Sequence, residues 1–497
     1  MELKRYPRQF VVADLPTKCL NDLEYFKIGT YHVYHCPTLT VYSRQVESYQ
    51  KYVVLFGYAS YPDNWNLSEI ELLDKILNFD CLNDICKYIS RLVGRYSIFL
   101  FVEGEGYVFH DPTGQRTVYY TTSPGIDVFG TQPLILGEFC KLEAGYKVEL
   151  FFHSKYFKYA DEYWLPSGLS IYENVLQLVP NHYLKLTTKQ QIRYWPVEPL
   201  RHLSFDDTVE FLSSFLTEYV QSASKKQNLV LPLTSGFDSR VLLALSRGNI
   251  IDNLICFTRI QRKNINKYHQ DVVIPSIILK SIEHKHNIII TDRQVSASDE
   301  ERYKLNNSTS RLQEGAALFS SGNEVINNKY VMHGNVSEMI KIRKSGKPYL
   351  SLRDFDVIPK GWFEIGFIQR HLQKWYDTAA NIENDFGLHP YELFYWEHRL
   401  GNWAARSYNE NDFAFDVFTP FNSRDVLSVS LMLDICYRSL PEAKLHRAII
   451  YKLWPEIDKY PYNKMSFVEL MKARFKKACR ITRLDRLILG FNNFINQ

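Results

Sequence analysis

The chain has no long apolar run. No window of its 497 residues approaches the roughly 20 apolar residues that a membrane-spanning helix needs. Its opening segment, MELKRYPRQF, contains no apolar signal core. A cytoplasmic location is therefore expected. Paired cysteine spacing is missing as well. Eight cysteines (19, 36, 81, 86, 140, 256, 436 and 479) are scattered with no Cys-x-x-Cys, which argues against a disulfide framework or a zinc ribbon and for buried thiols. Charge of one sign is scarce: 59 basic residues face 55 acidic ones, a net charge of +4, so a whole-molecule nucleic-acid binder is not expected. Neither internal repeats nor low-complexity segments occur.

What is present is the composition of a globular protein, 45% hydrophobic and 23% charged, in a chain long enough for two or three domains. The 34 tyrosines and 31 phenylalanines are best accounted for by core and sheet packing. His32-x-x-His35-Cys36 has some metal-ligand flavour but sits in a strand-like aromatic run, GTYHVYHCPTLTVYS. Residues 1–195 are strand-rich, with alternating or apolar runs at 29–35, 51–57, 95–102, 106–110, 117–121 and 147–153 and a helical insert around Leu67–Leu77. Residues 196–205, PVEPLRHLSF, have the proline content of a linker. From 206 to 497 the pattern is α/β: helix 206–223, strand 229–233, helix 238–247, strand 254–258, helix 270–284 and strands 286–290 and 330–332. Beyond about 360 the pattern is largely helical. Such alternation predicts a doubly wound parallel sheet, with ligands at the carboxyl ends of its strands.

One stretch stands out, Asn228 to Arg240, NLVLPLTSGFDSR. A buried strand ends at Leu233, the small-residue turn Thr234-Ser235-Gly236 follows, and a helix begins around Asp238. An ordinary turn with Asp or Ser capping the helix is the plain alternative. The other reading is a cradle for phosphate, because backbone N–H groups and a helix N-terminus converge there. Asp238 is itself an anion at that point and makes sense if it holds a metal ion that bridges to phosphate. No Gly-Lys-Ser/Thr follows, so this is not a Walker loop.

Aligned on Asp238, the turn resembles the pyrophosphatase loop Ser-Gly-Gly-x-Asp-Ser, with Thr234 and Ser235 in place of its first Ser and Gly. Upstream, GRYSIFLFVEGEGYVFHDPTGQRTVYY (94–120) resembles the core of class II glutamine amidotransferase domains. IYENVLQLVPNHYLKLTTKQQIRYWP (171–196) resembles the junction that follows it. In this order the three features resemble the asparagine synthetase family, which includes β-lactam synthetases and lasso-peptide cyclases. The resemblance implies an N-terminal antiparallel α/β/β/α sandwich of the Ntn type over 1–195. It further implies a linker at 196–205 and an ATP-pyrophosphatase domain with a helical C-terminal part over 206–497. Glutamine-using members begin Met-Cys, whereas this chain begins Met1-Glu2. The first domain is thus expected to be glutaminase-dead, with the amine not coming from glutamine hydrolysed in cis.

The resemblance also assigns residues. ATP would lie on Leu233, Thr234, Ser235, Gly236, Phe237, Asp238 and Ser239, beside Cys256, Phe257 and Thr258 of LICFT and near His333 and Gly334. The segment from Tyr330 to Met339 resembles the family's strand-Ser-Gly-Glu-Gly-Ser-Asp-Glu. Glu338 would there join Asp238 in holding Mg2+, and Asn335 replaces a Glu used near the acyl intermediate. WEHRLGNWAARS, FTPFNSRDVLSVSLML, KLHRAII and LWPEIDKYPYNKMSF resemble later family segments, and Lys464 falls on a Lys that stabilises the adenylation transition state. Implied substrates are a small-molecule, glycan or peptide carboxylate and an amine or ammonia, with ATP and Mg2+ as cofactors. The basic, amphipathic run after Met465 reads as a solvated helix face, with peripheral membrane contact as the minority reading. A homodimer is left open. The reading from another class is a non-catalytic scaffold or binding protein, motivated by the changes at residue 2, Ser235 and Asn335.

Overall fold

The computed structural model describes residues 6–46, 50–123, 125–154, 164–166, 168–261, 269–291, 297–307, 324–341 and 351–462. Lys464 and the basic run after it lie outside the described residues, as do residues 1–5.

The first part of the chain forms strands β1 (Phe10–Ala13), β2 (Glu24–Ile28), β3 (Tyr31–His35), β4 (Val41–Val46), β5 (Lys51–Ser60) and β6 (Val93–Val102). They are followed by β7 (Glu105–His110), β8 (Tyr119–Thr121), β9 (Val128–Gly130), β10 (Val175–Gln177), β11 (His182–Lys185) and β12 (Gln190–Arg193). They make two antiparallel sheets, ordered β10-β8-β9-β1-β3-β2 and β12-β11-β7-β6-β5-β4. Side-chain alternation explains how both faces of each sheet are used. Phe10 and Val12 of β1 meet Val54 and Phe56 of β5 in a core between the sheets, where the Phe10 and Phe56 rings stack at 3.8 Å. The intervening Val11 and Ala13 pack outward with Ile135 and Leu136 of helix Pro133–Cys140. On the other sheet, Val53 and Leu55 join Leu72, Ile76, Ile85 and Ile89 of helices Glu69–Leu77 and Leu82–Arg91. Each fully buried side chain of this kind contributes about 1.5–3 kcal/mol, so the helix-sheet-sheet-helix layering is hydrophobically determined.

One expectation fails here. The run 147–153 is a helix, Tyr146–His153, and not a strand. Its letters alternate, but Val148 and Phe151 are the buried pair at i, i+3 while Leu150 is 54% exposed, so the helical period decides the packing.

The second sheet system is parallel, ordered β15-β14-β13-β16-β17. Its strands are β13 (Leu229–Pro232), β14 (Ile255–Gln261), β15 (His286–Thr291), β16 (Tyr330–Met332) and β17 (Asp416–Phe418). The chain steps from β13 outward to β15, then crosses back to β16 on the other side of β13. The strand order thus reverses beside β13, the position at which open α/β sheets bind ligands outside the carboxyl ends of their strands. Helix Phe205–Lys226 is capped by Ser204 and carries Asp206 and Asp207 at its start and Lys225 and Lys226 at its end. The C-terminal part is helical, and Tyr395–Ala404 winds as a π-helix, a geometry that recurs at functional sites.

The segments that resemble amidotransferase motifs join the two sheet systems. Arg95 of β6 donates to Asp412 and Asp416 at 2.6 Å each, and Arg116 donates to Asp416 at 3.0 Å. All four side chains are buried. Burial raises the Asp416 carboxyl, and Arg95, Arg116 and Arg8 outweigh it, so the group is held below the usual carboxylate range. The Asp111 carboxylate accepts the backbone N–H groups of Thr113, Gln115 and Arg116 together with Asn422 Nδ2, which fastens the 111–116 loop to the segment leading into helix Arg424–Leu431. Asn181 of the junction donates to Glu397 and accepts from Arg424.

Candidate functional site

Leu233 still belongs to the sheet, since its N–H donates to the Phe257 carbonyl at 2.8 Å. The turn that follows is held by its own hydroxyls. Ser239 Oγ lies 3.0 Å from Thr234 Oγ1 and accepts the Thr234 N–H at 3.1 Å, while the Gly236 N–H donates to Thr234 Oγ1 at 3.3 Å. Ser235 donates through both its N–H and its hydroxyl to Asp271 of helix His269–Ser281, at 3.0 and 2.6 Å. The hydroxyl that replaces the family's first glycine is therefore an anchor. Gly236 occupies the N-cap of helix Phe237–Leu245 and offers no capping side chain, which leaves the start of that helix suited to an anion. Phe237 stacks on Tyr462 at 4.2 Å, and the buried Arg240 guanidinium lies 3.9 Å from the same ring while donating to the carbonyls of Tyr460 and Pro461.

A second loop closes on the first. After β16, the His333 N–H donates to the Phe418 carbonyl at 2.8 Å, and Gly334 is pressed against the loop Asp. A Cβ on Gly334 would sit 2.7 Å from Asp238 Cβ, so only glycine fits there. The short helix Ser337–Lys341 then directs Ser337 Oγ and Lys341 Nζ at Asp238 Oδ1, and His446 Nε2 from helix Lys444–Leu453 lies 3.6 Å from the same oxygen. Burial raises the Asp238 carboxyl, but the Lys341 ammonium, with the Ser337 hydroxyl, holds it below its ordinary value. The His446 ring is fully buried and kept neutral, lowered to about 3 first by burial and then by Lys341. Neither of its ring nitrogens has a hydrogen-bond partner.

The residues singled out from sequence separate into three groups. Leu233, Thr234, Ser235, Gly236, Phe237, Asp238, Ser239 and Gly334 converge at the carboxyl end of β13. Cys256, Phe257 and Thr258 lie buried in β14, where Thr258 Oγ1 donates to the Leu233 carbonyl at 2.6 Å and burial pushes the Cys256 thiol up to about 12. His333 is turned edge-on to Tyr408, and burial followed by Arg259 lowers it to about 4. Glu338 accepts the Tyr395 hydroxyl at 3.0 Å, and burial raises its carboxyl above the ordinary range.

The fit of a magnesium ion can be judged from these donors. Mg2+ requires several oxygen ligands in near-octahedral array. Asp238 Oδ1 is engaged by an ammonium and a hydroxyl with the neutral His446 ring 3.6 Å away, Glu338 is engaged by Tyr395, and no cluster of three or more His, Cys, Asp or Glu suited to a metal exists among the described residues. This set fits a lysine counter-charge and not a metal. Lys341 and His446 were missed by sequence reasoning. A signal existed for Lys341, because Ser337 and Lys341 stand at i, i+4 and share a helix face. His446 had none, since its partner lies 208 positions away in the chain.

No family model matches the chain, and no curated protein matches it in sequence. Among solved structures it is similar to the glutamine phosphoribosylpyrophosphate amidotransferase from B. subtilis complexed with ADP and GMP. The identity is 10% over 66% of this chain and 68% of that chain, with a TM-score of 0.23. It is also similar to an allosteric regulatory enzyme of purine biosynthesis, at 11% identity over 61% of this chain and 60% of that chain, with a TM-score of 0.22. Scores this low add nothing to the strand order itself. Among the described residues no helix is long and apolar enough to cross a membrane.

Proposed function

We propose that the chain is an ATP-dependent amide-forming ligase of the asparagine synthetase type. The observation that carries this reading is the Thr234–Ser239 turn, with its uncapped helix start, at the carboxyl end of the central strand where the strand order reverses. In this reading the turn and the start of helix Phe237–Leu245 bind the nucleotide phosphates, and Asp271 keeps the turn in shape through Ser235. A substrate carboxylate oxygen attacks the α-phosphorus, the bond to pyrophosphate breaks, and an amine or ammonia then attacks the acyl carbon and displaces AMP. Chemistry of this kind is mostly positioning and charge stabilisation, which suits a site built of hydroxyls, backbone N–H groups and a lysine. By resemblance alone, Lys464 is assigned to charge build-up at the α-phosphate. Specialised peptide or surface-polysaccharide biosynthesis is the proposed setting.

The test is pyrophosphate release from ATP with candidate carboxylates, comparing the natural chain with Asp238→Ala and Lys464→Ala. Release that both variants abolish supports the reading. Calorimetry at millimolar ATP that shows no binding would sink it. Nucleotide binding without turnover on any carboxylate would favour the non-catalytic scaffold, a reading that the tightly joined amidotransferase-like motifs also accommodate.

A further inference from the structure

The site carries its own cation. Lys341 is 9% exposed at its side chain and its ammonium is bonded to Asp238 Oδ1, on the carboxylate to which a bridging metal would bind. Ser337, one helical turn earlier, donates to the same oxygen, and the neutral His446 ring lies 3.6 Å from it. An ammonium has three N–H donors, and Asp238 Oδ1 takes one of them. Gly334 holds this second loop against the first, so the ammonium is fixed beside the Thr234–Ser239 turn by packing as well as by charge. A dication placed on Asp238 Oδ1 would have to displace the Lys341 ammonium or sit beside it with like charges in contact.

We propose that Lys341 is the resident phosphate-binding cation of this site: Asp238 positions its ammonium toward the turn, and anionic phosphate is held there without a metal bridge from Asp238. This rests on the phosphate-binding reading of the turn. It differs from that reading in assigning Asp238 to a lysine, and in treating any metal that accompanies the nucleotide as carried by the nucleotide alone.

Two calorimetric measurements on the full chain test it. In the first, Mn2+ alone is titrated into the natural chain and into Lys341→Met. The natural chain is expected to show no stoichiometric metal site, and one that Asp238→Asn abolishes would overturn the proposal. In the second, inorganic pyrophosphate and ATP are titrated with excess chelator and then with Mg2+. Binding to the natural chain is expected to survive chelation. Lys341→Met is expected to weaken it by about tenfold or more, the size of a charge-assisted hydrogen bond, with Lys341→Arg retaining most of it. Binding that requires Mg2+ in the natural chain, or that is equal in Lys341→Met under chelator, would overturn the assignment while leaving the nucleotide reading intact. No binding of either ligand under any condition would overturn both. Thermal melting of each variant separates loss of the cation from loss of the fold.

Discussion

Two carboxylate clusters lie at opposite ends of the same parallel sheet. At the amino end, Asp416 opens β17 and with Asp412 meets Arg95 and Arg116. At the carboxyl end, Asp238 follows β13 and meets Lys341, Ser337 and His446. The chemical groups are alike, but the surroundings differ. In the first cluster Arg95 and Arg116, with Arg8 close by, face Asp412 and Asp416, no side chain is more than 9% exposed, and the planar guanidinium forks are matched by carboxylates. In the second, the carboxylate is 35% exposed, the imidazole beside it is unpartnered, and the neighbouring helix start is uncapped. A closed cluster binds the two sheet systems together, whereas the open one leaves Asp238 half-exposed beside an uncapped helix start, the setting that the proposed phosphate site requires.

Charge removal tests that contrast most severely in the closed cluster. Arg95→Met leaves two buried carboxylates sharing one arginine, and stability in urea is expected to fall by about 3–5 kcal/mol. A loss below roughly 1 kcal/mol would show that this junction contributes little to holding the sheet systems together. The open cluster is read through pH. The folded chain holds His446 at about 3, against an ordinary 6.5. The unfolded chain therefore takes up the proton first, and stability falls as pH drops from 6.5 toward 3. His446→Gln is expected to flatten that limb, by at most about 1.4 kcal/mol per pH unit. An unchanged slope would place the pH sensitivity on other buried rings, such as His398, also lowered to about 3, chiefly by burial. The smallest effect is expected at the exposed pair Arg44–Asp74, whose side chains are 42% and 50% exposed. Asp74→Ala is expected to change stability by no more than about 0.5 kcal/mol, and a larger loss would break the ranking by burial that the other two variants assume.

Much of this is legible in the sequence. The strand-turn-helix at Leu229–Leu245, its loop glycine at 236 and the alternation of strands and helices after it follow from local period and turn chemistry, whereas Gly334 was visible only through the family resemblance. Three things are not. Tyr146–His153 has letters that suit a strand, and only its burial of Val148 and Phe151 shows the helix. Asp416–Phe418 is too short to announce itself as the strand that completes the sheet. Arg95 and Arg116 were visible as part of a motif, but their partners lie some 300 positions away in the chain.

The sequence by itself determined where the turn lies and which sheet end it occupies. These depend on residues within a few positions of one another, through dihedral preference and side-chain period. The tertiary structure alone decided which groups surround Asp238. A carboxylate's role depends on the charges within a few ångströms of it, and those arrive from helices Ser337–Lys341 and Lys444–Leu453, distant in the chain and brought close by packing against β13 and its helix. Sequence placed an acid where a metal was expected, and packing put a lysine there.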